Sequence, residues 1–155
     1  MNKSAFTLIE LIFIIVIIGV LAAFAIPKFG GLTSNSKISS ELATASTIQA
    51  AIDDVHSEWI MNEDGFNWGN GKTETDVNND GYPKQLGDCD PAFNWILKSS
   101  ATVDTKWHCD NNKFYGPASN SNSGVKDNGD GKPDSNDCWE YDSTNGTFEL
   151  NEGCS

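Results

Sequence analysis

The chain lacks arginine altogether, and its ten lysines face 22 aspartates and glutamates over 155 residues, a formal net charge of -12. Nucleic-acid binding calls for a basic patch or stripe, so this balance argues against it. Histidine is scarce: His56 and His108 stand alone, with no recognisable nucleophile or carboxylate constellation beside either, and both read as structural. The phosphate loop, H-E-x-x-H and G-x-S-x-G patterns are missing as well, and no enzymatic activity is expected. No cysteine precedes Cys89, and Cys89, Cys109, Cys138 and Cys154 include no C-x-x-C pair, which counts against a four-cysteine zinc site. Apolar residues become sparse beyond about residue 61, where Asn, Asp, Ser and Gly dominate.

What the chain does have is concentrated at its start. Phe6 to Ile26 reads FTLIELIFIIVIIGVLAAFAI, with Glu10 its single charge. As a helix rising about 1.5 Å per residue it would span roughly 30 Å, the thickness of a bilayer core. It is apolar on every side and so is no amphipathic surface helix. Lys3 before it and an acidic domain after it keep the amino end inside. Ala23-Phe24-Ala25 offers a signal-peptidase site, but the apolar run exceeds the about 7–15 residues of a secretory signal and carries Glu10 within it. Glu10 argues equally against an ordinary single-pass anchor, because an ionisable group at membrane depth is costly without a partner.

The stretch Ala5-Phe6-Thr7-Leu8-Ile9-Glu10-Leu11, the apolar run behind it and Pro27 resemble the start of a type IV prepilin or a type II secretion pseudopilin. The resemblance covers about residues 1–30. It implies a leader, residues 1–5, cut between Ala5 and Phe6 by a prepilin peptidase, followed by methylation of the new amine. The family usually has glycine before the cut; Ala5 is also small. The resemblance makes Phe6, Glu10 and Pro27 assembly residues. Physically, the Phe6 amine and the Glu10 carboxylate share one apolar layer, where a pair of opposite charges is favoured over an isolated one, and such a pair between subunits would set their axial stagger. The implied partners are further copies of the chain in a helical filament, the peptidase, and an inner-membrane assembly platform. The implied location is the inner membrane, amino end cytoplasmic and head periplasmic, and then an extracellular pilus or a periplasmic pseudopilus.

Behind residues 6–26, Pro27 and Gly30-Gly31 predict a bend or melted stretch over 27–35. A second helix is expected at about 37–61, where Ile38, Leu42, Ala45, Ile48 or Gln49, Ile52, Val55 and Trp59 recur at three- and four-residue spacing. Ser36 and Ser39 are its candidate caps. Residues 27–61 thus form a stalk, and 62–155 a globular head. A head so short of core needs staples. Three cysteine pairings are open in principle. Asn145-Gly146 signals a two-residue hairpin turn, and folding there brings Cys138 near Cys154, leaving Cys89 with Cys109 around a short helix at 91–98 and a strand near 102–108. Disulfides imply an oxidising compartment. A carboxy-terminal disulfide loop over sheet strands also resembles the pilin pattern.

Two Asp/Asn/Gly segments are candidates for calcium. The first offers Asp76, Asn78 and Asp80 in D-x-N-x-D-G; alternating oxygen ligands with a turning glycine are how calcium loops wrap a hard cation. It departs from an EF-hand at Lys84 and Gly87. The second offers Asn128, Asp130 and Asp134, with Asp137 as closer. Both also suit plain turns, which Asn, Asp and Gly form unaided. Asn145-Gly146-Thr147 matches a glycosylation pattern that the hairpin turn explains better.

The expected fold is α+β and type IV pilin-like: a long hydrophobic N-terminal helix packed on a small antiparallel sheet head with loops and disulfides. The expected function is that of a structural filament subunit, with no required cofactor. The alternatives are a type II secretion pseudopilin with a calcium-binding head and a membrane-anchored calcium-binding domain that does not polymerise. The acidity disfavours a DNA-uptake minor pilin.

Overall fold

In the computed structural model, residues 6–62, 65–68, 71–89, 92–97, 106–127 and 129–154 are described. The element order is α1 (Leu8–Met61), a short 3-10 turn (Glu74–Asp76), β1 (His108–Asp110), β2 (Lys113–Tyr115), β3 (Cys138–Asp142) and β4 (Thr147–Asn151). The strands form an antiparallel meander in the order β1-β2-β3-β4. The chain divides into two compact units, one ending at Asn35 and the other beginning at Ser36.

The amino-terminal unit is helical with its apolar side chains in the open. Leu8–Ile26 is long and apolar enough to cross a membrane. Phe6, Leu8, Phe13 and Phe24 are each about two-thirds exposed or more. The helix begins on a capping box that the apolar pattern conceals. Thr7 Oγ1 accepts from the Glu10 amide (3.3 Å), and Glu10 Oε2 accepts from the Thr7 amide (3.3 Å) and hydroxyl (3.1 Å). The T-x-x-E spacing satisfies two otherwise orphaned backbone donors.

The stretch 27–35 is helical and not melted: α1 is assigned without a break from Leu8 to Met61. Proline removes one intrahelical hydrogen bond, and each glycine costs about 1 kcal/mol relative to alanine. Those losses are local, whereas helix is favourable on both sides and restarting it would require a second costly nucleus. Ser36 and Ser39 are accordingly interior helical residues and not caps.

In the second unit, Ala45, Ile48, Ile52 and Val55 of α1 are buried, with Leu42 and Trp59 half-buried. Ala45, Ile48 and Ile52 join Leu86, Ala92, Phe93, Trp107, Phe114, Trp139, Tyr141 and Phe148 in the main core. Phe93 stacks on Phe114 with ring centres 4.9 Å apart, and Trp139 on Phe148 at 5.3 Å. Few apolar residues suffice because most of them are large rings, each removing some 150–250 Å² from water. A second cluster gathers Val55, Phe66, Trp68 and Val77.

The turn between β3 and β4 departs from expectation. Asp142 pairs with Thr147, so the loop is four residues, 143–146, and not two. Gly146 has φ of 72° and its amide donates to the Asp142 carbonyl (2.9 Å). A side chain at 146 would also collide with the Tyr82 ring, 2.2 Å from the Cβ position. Asn145 instead turns its Oδ1 onto the Thr147 amide (3.2 Å) and hydroxyl (2.8 Å). Residues 92–96 form hydrogen-bonded turns and no α-helix. The strand expected near 102–108 begins only at His108, and its remaining residues up to 105 lie outside the described ones, as do the leader with Ala5, and Asn128.

Candidate functional site

Two regions carry chemistry: the exposed start of α1 and the side chains that lock α1 to the head. At the start, Phe6 and Glu10 are both exposed, and the capping box already engages the Glu10 carboxylate within its own chain. Any partner amine must compete with, or add to, the Thr7 donors. Pro27 lies within the helix, not at a break in it.

The head is held on α1 by two polar side chains, Glu41, which sequence patterning passes over, and Gln49. Glu41 sits in the apolar stripe and is fully buried. Its Oε2 accepts from the Ala118 amide (2.5 Å) and the Ser119 amide (3.1 Å), and its Oε1 from Trp139 Nε1 (2.8 Å). Gly116 permits this approach, since a Cβ there would stand 2.5 Å from Glu41 Oε2. A charge in so dry a place is tolerated because three donors surround it. Gln49 clamps the free edge of β4: its Oε1 accepts from the Phe148 amide and its Nε2 donates to the Gly146 carbonyl, both 2.9 Å. It thereby covers part of an edge that would otherwise pair with foreign strands. The signal for Glu41 was its position: a carboxylate on the core face of an amphipathic helix demands a buried partner.

Cys89 is bonded to Cys109 (Cα–Cα 5.2 Å) and Cys138 to Cys154 (5.7 Å). With all four sulfurs in disulfides, no thiolate remains for zinc. Cys138 and Cys154 lie near Glu140, but disulfide sulfurs do not make that trio a metal centre.

The first Asp/Asn/Gly segment is held in hydrogen-bonded turns. Asn78 Oδ1 accepts from the Asp80 amide (3.0 Å) and the Tyr82 amide (2.9 Å), while Asn78 Nδ2 donates to the Ser143 carbonyl. Asp76 Oδ2 accepts from the Thr73 amide (2.9 Å). The Asp76 and Asn78 oxygens serve backbone turns, and an oxygen that accepts one amide keeps a second lone pair.

In the second segment, Asp130 pairs with Lys132 (2.9 Å). Asp134 and Asp137 are buried: Asp137 Oδ2 accepts from the Asp134 amide (3.0 Å) and its Oδ1 from the Gly153 amide (3.3 Å). Burial pushes the Asp137 carboxyl above its ordinary 3.8; the two amides oppose this, and the Asp134 and Glu152 charges reinforce it. Burial likewise raises the Tyr141 phenol, whose hydroxyl donates to the Pro83 carbonyl (2.7 Å).

Comparison with known proteins bears on the amino-terminal part. The family described as the prokaryotic N-terminal methylation motif matches residues 1–26. The chain is 45% identical over 51 residues to the type IV narrow pilus major component PilA5 of Thermus thermophilus, covering 33% of this chain and 44% of that protein. It is 35% identical over 63 residues to the fimbrial protein of Neisseria meningitidis serogroup A, covering 39% of this chain and 37% of that one. The matches thus span less than half the length of either relative. No solved structure matches the chain. The protein therefore carries a prokaryotic N-terminal methylation motif at residues 1–26 on a type IV pilin-like α+β architecture, and over part of its length is similar to a pilus component and a fimbrial protein.

Proposed function

We propose that this protein is a structural subunit of a type IV pilus-like filament and not an enzyme. It would wait in the inner membrane with its amino end cytoplasmic, be cut between Ala5 and Phe6, be methylated there, and be drawn into a helical bundle by an inner-membrane platform. The observation that carries this reading is the methylation motif continued directly by Leu8–Ile26, an apolar helix none of which is buried within its own chain. So much apolar surface needs a second environment. Lipid supplies it before assembly, and neighbouring helices supply it after, so burial is retained on transfer. Glu10 is the one charge in that surface, and its pairing with the Phe6 amine of a neighbour would set register.

Terminal peptide mapping and intact mass of protein from membranes test this. A methylated Phe6 is expected as the first residue. A start at Ile26 would mean a secreted head, and an intact Met1 an anchored domain that does not polymerise. Glu10→Ala is expected to abolish filaments while leaving the head's melting temperature unchanged. Shearing cells separates the two filament readings: a pilus is released in bulk, a periplasmic pseudopilus is not.

We also propose calcium as an optional ligand of the second segment, at Asp134 and Asp137, supported by the raised Asp137 carboxyl facing Asp134 and Glu152. A carboxyl raised on folding binds its proton more tightly in the folded than in the unfolded chain. Its ionisation therefore costs stability as pH rises from 3.8 through the raised value, and that cost persists at neutral pH. A divalent cation would offset it. Calcium is expected to raise the melting temperature at pH 7 and to do little at pH 4. Asp137→Asn should flatten that limb of the stability–pH curve and remove the calcium effect. An unchanged curve with calcium present at pH 7 would end the proposal.

A further inference from the structure

The lysines of the head mostly do not meet carboxylates. Lys37 donates to the Ser123 carbonyl (2.6 Å), Lys84 to that of Thr75 (2.7 Å) and Lys113 to that of Cys154 (3.2 Å), while Lys72 lies 3.3 Å over the Trp95 ring. Lys106 has no hydrogen-bond or ion-pair partner among the described residues. Lys37 and Lys106 line one cavity of about 400 Å³ together with Ser36, Ser40, Asn120 and Asn122, and no carboxylate lines it. On a chain of net charge -12, a pocket lined among the described residues by two lysines, neutral hydroxyl and carboxamide groups and Pro117 stands apart.

Its walls are set by local bonds. The Asn122 amide donates to Asn120 Oδ1 (2.9 Å) and the Val125 amide to Ser123 Oγ (3.1 Å), so the loop beside α1 is held in two side-chain turns. Lys37, tied to the Ser123 carbonyl, keeps its ammonium at the pocket with donors to spare.

The complement lies on the sheet. Glu140 of β3 stands directly opposite Glu149 of β4, and Lys113 of β2 opposite Glu140. Lys113 sends its ammonium to the Cys154 carbonyl, so it forms no ion pair with Glu140. These two glutamates, with Asp142 and Glu152, line an open groove of about 830 Å³. Like charges directly opposed across a ladder are unfavourable. Among the described residues neither Glu140 nor Glu149 forms an ion pair.

We propose that the Lys37/Lys106 cavity docks the Glu140/Glu149 face of a second copy of this chain. The two surfaces are different parts of the molecule, so the contact is heterologous: each copy offers one cavity and one acidic face. Repetition of such a contact yields an open helical array unless the rotation closes into a ring. The inference rests on the filament reading and adds to it where the heads touch. It gives the head surface a part in register that the helices alone would otherwise carry. Charge pairs at a rim also steer encounter and suppress wrong registers.

Charge reversal on the full-length chain in cells tests it, with filaments recovered by shear and head stability followed on purified protein. Lys106→Glu and Glu149→Lys, both at exposed positions, are each expected to cut filament yield about tenfold or more, with the melting temperature unmoved by the first and raised, not lowered, by the second, which relieves the Glu140–Glu149 repulsion. The combined variant should recover most of the yield. Single variants at wild-type yield would overturn the proposal. So would a double variant no better than its parents, which would mean that the cavity serves some other anion. Should the wild-type chain form no filament, the filament reading fails by itself. The docking contact is then read from self-association of purified protein in detergent, where a monomer at every salt concentration overturns it and salt-sensitive dimers lost in Lys106→Glu support it.

Discussion

Replacing Glu41 by alanine is expected to destabilise the head by about 3–5 kcal/mol, a large part of the stability of a domain this size. The mutation removes one acceptor group and strands three donors in a dry interior: the Ala118 and Ser119 amides and the Trp139 indole. Each unpaired buried donor costs about 1–3 kcal/mol, and the cavity left by the side chain adds to that. A fall in melting temperature of roughly 10–20 °C should be seen in thermal unfolding. Glu41→Gln is the sharper probe. Its amide oxygen can serve Ala118 and Ser119, but its NH₂ then faces the Trp139 N–H, donor against donor. Glu41→Gln should therefore cost less in a Trp139→Phe background than alone. If the two losses simply add, Glu41 and Trp139 are not energetically coupled and the account of the anchor is wrong.

Reducing both disulfides is expected to unfold the head at ambient temperature while the amino-terminal helix keeps its helicity in detergent. The bonded cysteines are 20 and 16 residues apart, and loops of that size constrain the unfolded chain by about 3 kcal/mol each. Their combined loss, about 6 kcal/mol, equals or exceeds what a small domain has in reserve. The dependence is written into the sheet. β1 and β2 have only three residues each, too short to hold by ladder bonds alone, and Cys109 ties β1 to the Cys89 segment. Cys154 ties the end of the chain to the first residue of β3. Cys138→Ser with Cys154→Ser is expected to cost about 3 kcal/mol and to loosen the contacts around Asp137, because the Gly153 amide and the Cys154 amide both bond to that segment. Near-ultraviolet circular dichroism of the tryptophans, all five of which lie buried or partly buried in the clusters around Phe93 and Val77, reports the loss. A reduced protein with an unchanged near-ultraviolet spectrum would refute the idea that the head needs its staples.

Legibility in the sequence followed from how far each signal reached along the chain. The stripe from Ala45 to Val55 was readable because a helix repeats its face every three or four residues, and burial depends on that face alone. Proline and glycine at 27–31 were misread because their propensities are single-residue terms, and the helix on either side of them is cooperative. The Asn145-Gly146 signal located the β3–β4 hairpin but not its loop length: Gly146 alone takes the positive φ, and the Tyr82 ring packs where a side chain would be. The capping box at Thr7 was visible as T-x-x-E, yet the apolar run around it drew attention to Glu10 as an isolated charge.

The sequence by itself determined that an apolar, membrane-length helix opens the chain behind a methylation motif, that an amphipathic stretch follows, and that the acidic carboxy-terminal part would be a small disulfide-bearing sheet domain. The apolar helix and the amphipathic stretch are consequences of composition and period, which act locally; the methylation motif and the sheet head were implied by the resemblance to pilins. Only the tertiary structure decided which polar groups matter. It set Asn78 in a turn by bringing the Asp80 and Tyr82 amides to one oxygen, and it brought Glu41 to amides some 77 residues away. It also placed Lys37 and Lys106 in one cavity. The physical reason is common to all three. A hydrogen bond or charge contact depends on distances of a few ångströms between groups far apart in the chain, and no period in the sequence encodes those distances.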